Sequence, residues 1–373
     1  MPYNWEYKEW PNFSYNLSGI EEKLYLFSEK VGTVNGILKS LPANVQTESI
    51  LEIMVAEAVK TSEIEGEFLS RKDVMSSIKN NLGLNVKKEK IVDKRASCIG
   101  ALMINIRETY AEALSENQLY HWHSLLLSNN SNVKVGAWRD HLEPMQVVSG
   151  AVGKEKVHFE APPSTRVPKE MKKYIQWFND TATAGKKEIK NALVRSAIAH
   201  LYFESIHPFE DGNGRIGRAI AEKALSQSIG RPVLLSLSRT IEQNKNDYYN
   251  ELKAAQRTMN ITKWIGYFVD VAISAQQYAE DIVEFSLKKT RFFDTYKGRL
   301  NERQLKVIRR MFEEGPTGFE GGINASKYGS LTKTSKATAT RDLQDLLQKG
   351  VLSFLGDGSG RSTKYQLNLD SIS

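Results

Sequence analysis

The chain has 373 residues, 40% of them apolar and 25% charged, with a net charge of +7 and one cysteine, Cys98. That length supports two or three domains, and no apolar run approaches a membrane span. One cysteine excludes an internal disulfide and any cysteine-based metal cluster. With an N-terminus (Met1-Pro2-Tyr3-Asn4-Trp5-Glu6) unlike a signal peptide, this fits a reducing, cytoplasmic setting and no membrane partner.

Residues 1–20 are dense in aromatics: Tyr3, Trp5, Tyr7, Trp10, Phe13 and Tyr15. Pro2 and Pro11 oppose a helix, so the stretch reads as an irregular arm packed on a helical body. From about Ile20 to Arg107 the pattern is helical. The run from Ile50 to Lys60 predicts a buried helix, with Gly66 as its stop. Glu63, Glu65 and Glu67 then form a carboxylate cluster that a helix C-terminus disfavours unless a cation faces it. Residues 114–127 predict another helix, followed by a polar loop ending in Gly136-Ala137-Trp138-Arg139. His121 and His123 are two apart and point away from each other on a helix, which argues against a shared metal. Residues 145–148 and 156–160 are short β-type runs around Gly150 and Gly153, a hairpin that Pro162-Pro163 ends. Helices follow at 171–179 and 191–205, the second with His200 as a core histidine.

The densest chemistry lies in His207-Pro208-Phe209-Glu210-Asp211-Gly212-Asn213-Gly214-Arg215-Ile216-Gly217-Arg218. Leu193, Val194, Ala197, Ile198 and Leu201 make one helical stripe before it. Ile216, Ala219, Ile220 and Ala224 make another after it. Gly and Asn allow the tight loop between the two helices. A helix opening at Asn213-Gly214-Arg215 presents unpaired N–H groups and a positive dipole end, which favour bound phosphate. Arg215 and Arg218, three apart, clamp further oxygens. Asp211 offers a hard oxygen ligand for Mg²⁺ shared with phosphates. His207 supplies an imidazole suited to accept a proton from an attacking hydroxyl. These are the parts of a phosphoryl or nucleotidyl transfer site.

Beyond this stretch, Gly230-Arg231-Pro232 predicts a turn. Residues 238–255 form a run containing Gln243, Asn244, Tyr248 and Tyr249, and residues 260–292 predict one or two amphipathic helices. Residues 299–373 read as a separate unit. Helices are predicted at 304–312 and 323–328. A third is capped by Ser335, with Leu343, Leu346 and Leu347 buried. A hairpin follows from 351–355 and 364–367 around Gly356-Asp357-Gly358-Ser359-Gly360. Three helices then a hairpin is the winged-helix order. Lys333, Lys336, Thr338 and Arg341 fall on the exposed face of the third helix and Arg361 on the wing. The surplus of basic over acidic residues is weak, so an interaction or homodimer-contact module is preferred to DNA binding.

Residues 207–218 resemble the core motif of Fic-family enzymes, His-Pro-Phe-x-Asp/Glu-Gly-Asn-Gly-Arg-x-x-Arg, at every defined position. The resemblance implies a mainly α fold: a Fic helical bundle with a β-hairpin flap, plus the C-terminal winged-helix domain. It implies transfer of AMP from ATP to a Tyr, Thr or Ser hydroxyl of a target protein, this chain included. His207 is then the base and Asp211 the Mg²⁺ ligand. Gly212, Asn213, Gly214 and Arg215 stabilise developing charge, Arg218 binds the γ-phosphate, and Phe209 anchors the loop. Thr61-x-x-x-Glu65-Gly66 is similar to the family's inhibitory motif, Ser/Thr-x-x-x-Glu-Gly/Asn. The Glu of that motif pairs with the second motif arginine, here Arg218, in place of the γ-phosphate. Glu65 positioning a water molecule would also let the site remove AMP.

Gly136-x-Trp138-Arg139 is similar to the segment before the family's flap. The flap itself corresponds to the hairpin at 145–160, with Val157, His158 and Phe159 nearest the target's backbone. The family's Tyr-Tyr helix beside the adenine points to Tyr249 and, more weakly, Asn244; plain packing of Tyr248 and Tyr249 is the alternative. The expected division is residues 1–110 as an N-terminal helical domain carrying the inhibitory motif, 111–292 as the catalytic core, and 299–373 as the winged-helix-like domain. Two other readings stand beside this one. One is an enzyme of the same fold with another nucleotide donor, and the other is a DNA-binding regulator that keeps the nucleotide site as a sensor.

Overall fold

Apolar periodicity yields fourteen α-helices and two two-stranded antiparallel hairpins among the described residues. The computed structural model describes residues 2–85, 87–128, 133–149, 156–316, 318–319, 321–356 and 363–369. The first helices are α1 (Glu21–Ser40), α2 (Ala43–Ile64), α3 (Arg71–Asn81), α4 (Lys94–Glu108) and α5 (Glu116–Leu127). Strands β1 (Gln146–Ser149) and β2 (Lys156–Glu160) precede α6 (Val167–Asp180), α7 (Ala192–Ile206) and α8 (Asn213–Ile229). Then come α9 (Leu237–Gln243), α10 (Lys245–Ala255) and α11 (Thr262–Thr295). The chain ends with α12 (Glu302–Phe312), α13 (Ala325–Thr332), α14 (Lys336–Gln348), β3 (Leu352–Phe354) and β4 (Tyr365–Leu367). Among the described residues, no helix is long and apolar enough to cross a membrane.

Residues 1–33 with 50–279 form one compact unit, and 34–49 with 280–373 form a second. The boundary expected near residue 110 does not separate compact units. Val55, Ala58, Val74, Ile99 and Leu102, from α2–α4, share one apolar core with Trp122, Phe203, Phe209 and Ile220. The longer segment of the second unit begins at Glu280, within α11, which runs as one continuous helix to Thr295, inside the expected gap at 292–299. No residue within α11 interrupts its helical apolar stripe. The predicted run 238–255 breaks instead, at Asn244 (φ −132°, ψ 49°), between α9 and α10.

Helix α7 sits at the centre of the first unit. Every position from Leu193 to Ile206 is buried, as expected of a helix surrounded on all sides. Its polar residues therefore need internal partners. Arg195 donates to the carbonyls of Ala224 (2.8 Å) and Phe178 (2.9 Å), and Ser196 to that of Ala221 (2.7 Å). Burial draws the Arg195 guanidinium down to about 10. The N-terminal arm does pack on this body. Asn4 donates through its side chain to Ser205 Oγ (2.8 Å), Trp5 to the Glu160 carbonyl (2.8 Å), and Trp10 to Glu170 (2.9 Å). In the first hairpin Gln146 pairs with Glu160 and Val147 with Phe159, then a bulge shifts Val148 onto Val157. Gly150 and Gly153, expected in its turn, lie outside the described residues.

From Glu302 on, the second unit has the order helix, helix, helix, hairpin. Val307, Ile308, Tyr328, Leu343, Leu346 and Leu352 are among the residues of its core. Ser335 caps α14 by accepting the Thr338 N–H (3.3 Å). The apolar start at Ile323 is a bridge to Tyr365, not helix, so α13 begins two residues later. Residues 357–361, including Arg361, lie outside the described residues.

Asp342 ties this unit's helices together. It accepts from Arg303 Nε (2.9 Å) and the Tyr328 hydroxyl (2.9 Å). Burial favours its protonated form, but the bonds from Arg303 and Tyr328 outweigh that and hold the carboxyl below its ordinary range. The stability it contributes is therefore present above the ordinary carboxylate range and is lost as pH falls through the depressed value. Asp342→Asn is expected to reduce protection of the α14 amides by about 2 kcal/mol at neutral pH. The loss should shrink as the pH is lowered. Hydrogen exchange on the full chain measures both, and equal protection in the variant at neutral pH would refute the assignment.

Candidate active site

The site begins where α7 ends. His207 closes that helix in the left-handed region (φ 49°, ψ 61°), donating its N–H to the Phe203 carbonyl (2.9 Å). A non-glycine residue holds such a conformation only when its surroundings fix it. Here Arg139 does so. It is buried, and its guanidinium donates to the carbonyls of His207 (2.8 Å), Pro162 (2.5 Å) and Ile206 (3.3 Å) and to Ser164 Oγ (2.8 Å). Its backbone N–H reaches the Pro208 carbonyl (2.9 Å). Burial lowers its pKa to about 10.

Phe209 is fully buried and stacks on His123 (4.1 Å, 6°). His123 Nδ1 accepts the Gly136 N–H (2.9 Å), so its proton is on Nε2 and is directed at the Asp211 carbonyl (3.2 Å). Burial lowers the pKa of His123, which favours this neutral form. Asn213 closes the loop from inside. Its Oδ1 accepts the Phe209 N–H (2.9 Å) and its Nδ2 donates to the Phe209 carbonyl (2.8 Å). The Asn213 side chain is thus engaged within the loop, and its backbone N–H is the group available to an anion.

Gly212 (φ 79°) turns the chain into α8. The first-turn N–H groups of Asn213, Gly214 and Arg215 are the helix's free donors. A carboxylate lies over them: a Cβ on Gly214 would overlap Glu65 Oε1. Glu65 is carried there by the end of α2, which closes in a Schellman motif. Gly66 (φ 82°) donates to the Glu63 carbonyl (3.0 Å) and Glu67 to that of Ser62 (2.9 Å). Glu65 Oε1 accepts from Arg218 Nη2 (2.8 Å). Arg218 also donates to Thr61 Oγ1 (2.8 Å) and the Thr61 carbonyl (2.9 Å). Burial favours loss of the Arg218 proton, but the Glu65 carboxylate outweighs it and raises the pKa. Glu67 pairs with Arg215 Nη1 (2.9 Å), and Lys245 donates to the Ile64 carbonyl. The sequence marked Glu67 only as one of a charge cluster and gave no signal for Lys245.

A cavity of about 870 Å³ opens at this point. His207, Asp211, Gly212, Asn213, Gly214, Arg218 and Tyr249 line it, with Glu65 and Gly66. Asp211 is 46% exposed, and its Oδ1 accepts the Gly212 N–H (2.6 Å). No cluster of three or more metal-ligating side chains occurs among the described residues. One carboxylate beside a phosphate cradle is the donor set with which Mg²⁺ is commonly held together with a nucleotide, so the residues fit that ion. Arg215 is buried beside the cavity and is not one of its lining residues. Asn244 does not line it either; Asn246 and Asn250 do. Tyr248 is buried and bonded to His200 Nε2 (2.8 Å), whereas Tyr249 is 38% exposed. From the flap, His158 and Phe159 reach the cavity, but Phe159 is buried edge-on against Tyr3 (5.0 Å). Val157 is exposed.

Residues 113–225 match the Fic/DOC family model, and residues 3–84 match a domain of unknown function, DUF4172. The chain is 32% identical over 88 residues to the protein adenylyltransferase Fic of Nematostella vectensis, covering 24% of this chain and 19% of that protein. It is 24% identical over 198 residues to the protein adenylyltransferase fic-1 of Caenorhabditis elegans, covering 52% of this chain and 35% of that protein. The chain thus spans about a third or less of these relatives' lengths. A Fic family protein from Desulfovibrio desulfuricans G20 has a similar fold: TM-score 0.54, 21% identity, 92% of this chain and 95% of that chain covered.

The geometry makes Asn213 the loop's internal brace. Asn213→Ala leaves the Phe209 N–H and carbonyl buried without partners, and is expected to destabilise the chain by about 2–3 kcal/mol. Denaturant unfolding measures this, and a change under about 0.5 kcal/mol would contradict the role.

Proposed function

Given a Fic domain at residues 113–225, we propose that this chain is a protein adenylyltransferase held in check by Glu65. The observation that carries the reading is the Glu65 carboxylate over the N-terminus of α8, bonded to Arg218, in a cavity lined by His207 and Asp211. ATP enters that cavity once Glu65 withdraws, and Arg218 then receives the γ-phosphate. His207 takes the proton of a Tyr, Thr or Ser hydroxyl on the target protein. The hydroxyl oxygen forms a bond to the α-phosphorus and the bond to the leaving pyrophosphate breaks. Negative charge developing on the phosphoryl oxygens is met by the N–H groups of α8 and by Arg215. Asp211 would hold Mg²⁺, which when bound would neutralise phosphate charge. Tyr249 offers a ring face to the base, and the open edge at Val157 aligns the target by strand addition. With water in place of the hydroxyl and Glu65 orienting it, the same site removes AMP.

The second unit supports a winged-helix module used for protein contact, a homodimer included. Lys336 and Arg341 are exposed on α14, whereas Lys333 closes α13 instead of lying on α14, and the surplus of basic over acidic residues across 299–373 is small. Duplex DNA binding is therefore expected to be weak, with a shallow salt dependence. Fluorescence anisotropy across a salt series measures it, and a steep slope would favour the DNA-binding regulator.

Wild type, Glu65→Gly and Glu65→Gly/His207→Ala, incubated with Mg²⁺ and α-labelled ATP, test the main reading. Label on protein is expected to rise at least about tenfold in the single variant and to fall about 100-fold or more when the base is removed. Label transferred from γ-labelled ATP instead would indicate a phosphoryl transferase. No label in any folded variant would reject ATP as donor.

A further inference from the structure

Glu204 lies one turn before His207 on α7 and is 4% exposed. Its Oε2 stands 3.6 Å from His207 Nδ1. That is just beyond a formed hydrogen bond, but Glu204 Oε1 and His207 Nδ1 are both buried without a hydrogen-bond partner. Buried polar atoms in that state are costly, and at 3.6 Å the His207 Nδ1 is close to the Glu204 carboxylate. Catalytic hydrogen bonds are often long before substrate binds. Helix α8 leaves room for the carboxylate, because a Cβ on Gly217 would overlap Glu204 Oε1.

The other titratable groups facing Glu204 are His200 on α7, Arg218 on α8, Tyr248 and Tyr249 on α10, and Tyr174 on α6. Arg218 is bound to Thr61 and Glu65, and His200 Nε2 to Tyr248. Burial alone would neutralise Glu204, but His207, His200 and Arg218 lower its pKa below the ordinary value, so it is an anion. His207 Nδ1, 3.6 Å away, is the Glu204 carboxylate's one ion-pair partner among the described residues, while His200 Nδ1 and Arg218 Nη1 are also buried without a hydrogen-bond partner.

We propose that Glu204 is a positioning residue that accepts the Nδ1–H of His207 and so turns Nε2 toward the nucleotide cavity. This rests on the proton-accepting role given to His207 above. With Nδ1 protonated, Nε2 carries the lone pair. When Nε2 takes the hydroxyl proton, the resulting imidazolium forms beside a carboxylate already in place. Nothing in the core motif from His207 to Arg218 contains this residue.

Two measurements on the full chain test it. The first is steady-state AMP transfer in the Glu65→Gly background, with Glu204→Gln or Glu204→Ala added. Glu204→Ala is expected to lower kcat about 100-fold with KM for ATP within about twofold. Glu204→Gln keeps an acceptor and is expected to restore at least about tenfold of that loss. The second is the ¹⁵N spectrum of histidine-labelled protein, at a pH well above the ordinary imidazole range. The His207 signals are assigned by their loss in His207→Ala. Wild type and Glu204→Gln should show the Nδ1–H tautomer, and Glu204→Ala a mixture with Nε2–H. An unchanged tautomer in folded Glu204→Ala, or a raised KM for ATP at unchanged kcat, overturns the proposal. If Glu65→Gly alone transfers no AMP, it is the transfer reading that fails. The tautomer comparison between wild type and Glu204→Ala still decides the role of Glu204.

Discussion

The structure of the site depends on one constraint: the N-terminus of α8 is an anion-binding end, and a carboxylate from the chain itself lies over it. The three first-turn N–H groups, the glycine that admits close approach and the guanidinium of Arg218 converge on the place where Glu65 Oε1 sits. Helix dipole and charge-assisted hydrogen bond act in the same direction there. A Glu at the C-terminal end of α2 is badly matched to its own helix. It is well matched to the beginning of another. The Schellman turn at Gly66 fixes the residue's direction and brings Glu67 onto Arg215.

The second requirement is a loop rigid enough to present these groups together. Its backbone is unfavourable at His207, and three side chains from different parts of the chain hold it. Arg139 gathers the carbonyls of His207, Ile206 and Pro162, Asn213 braces Phe209 from within, and His123 stacks on Phe209 while bonding to Asp211. Each is buried and each satisfies backbone groups that no helix could reach. Removal of any one leaves polar atoms without water or partner. The twelve residues from His207 to Arg218 therefore do not form a self-sufficient motif; their geometry comes from α5, the loop ending at Arg139 and α8 together.

How much of this the sequence discloses follows from the range of the interactions. Helices α7 and α8 and the tight loop between them are local, and their stripes, glycines and asparagine are legible. The end of α2 is legible for the same reason. Its pairing with Arg218, some 150 residues on, becomes readable only through the resemblance to a family motif. The role of Arg139 is not legible, since one arginine in a loop carries no signal of the four acceptors it finds. Asn244 was a reasonable candidate by position, but the chain bends at that residue and turns Asn246 and Asn250 into the cavity instead. Helix patterns mark which face is apolar, not which partner covers it, so they do not show whether a border near residue 110 separates two cores. The apolar faces of α2–α4 are covered by the same core that holds Trp122 and Phe209.

The energetics of the Glu65–Arg218 contact fit the proposed block being reversible rather than permanent. Arg218 is 2% exposed and keeps two bonds to Thr61 that do not involve Glu65. Its desolvation is therefore common to the closed state and to any state in which another anion takes the place of Glu65. It drops out of the difference between them. What changes on opening is the environment of Glu65, which is 29% exposed and so already near water. The cost of withdrawing it is that of one partly screened, charge-assisted hydrogen bond plus its favourable place at the positive end of α8. That is on the order of a few kcal/mol. A polyphosphate offers the same donors more than one negative charge. In the proposed switch, competition between the two anions would thus be decided by charge and reach at one set of donors.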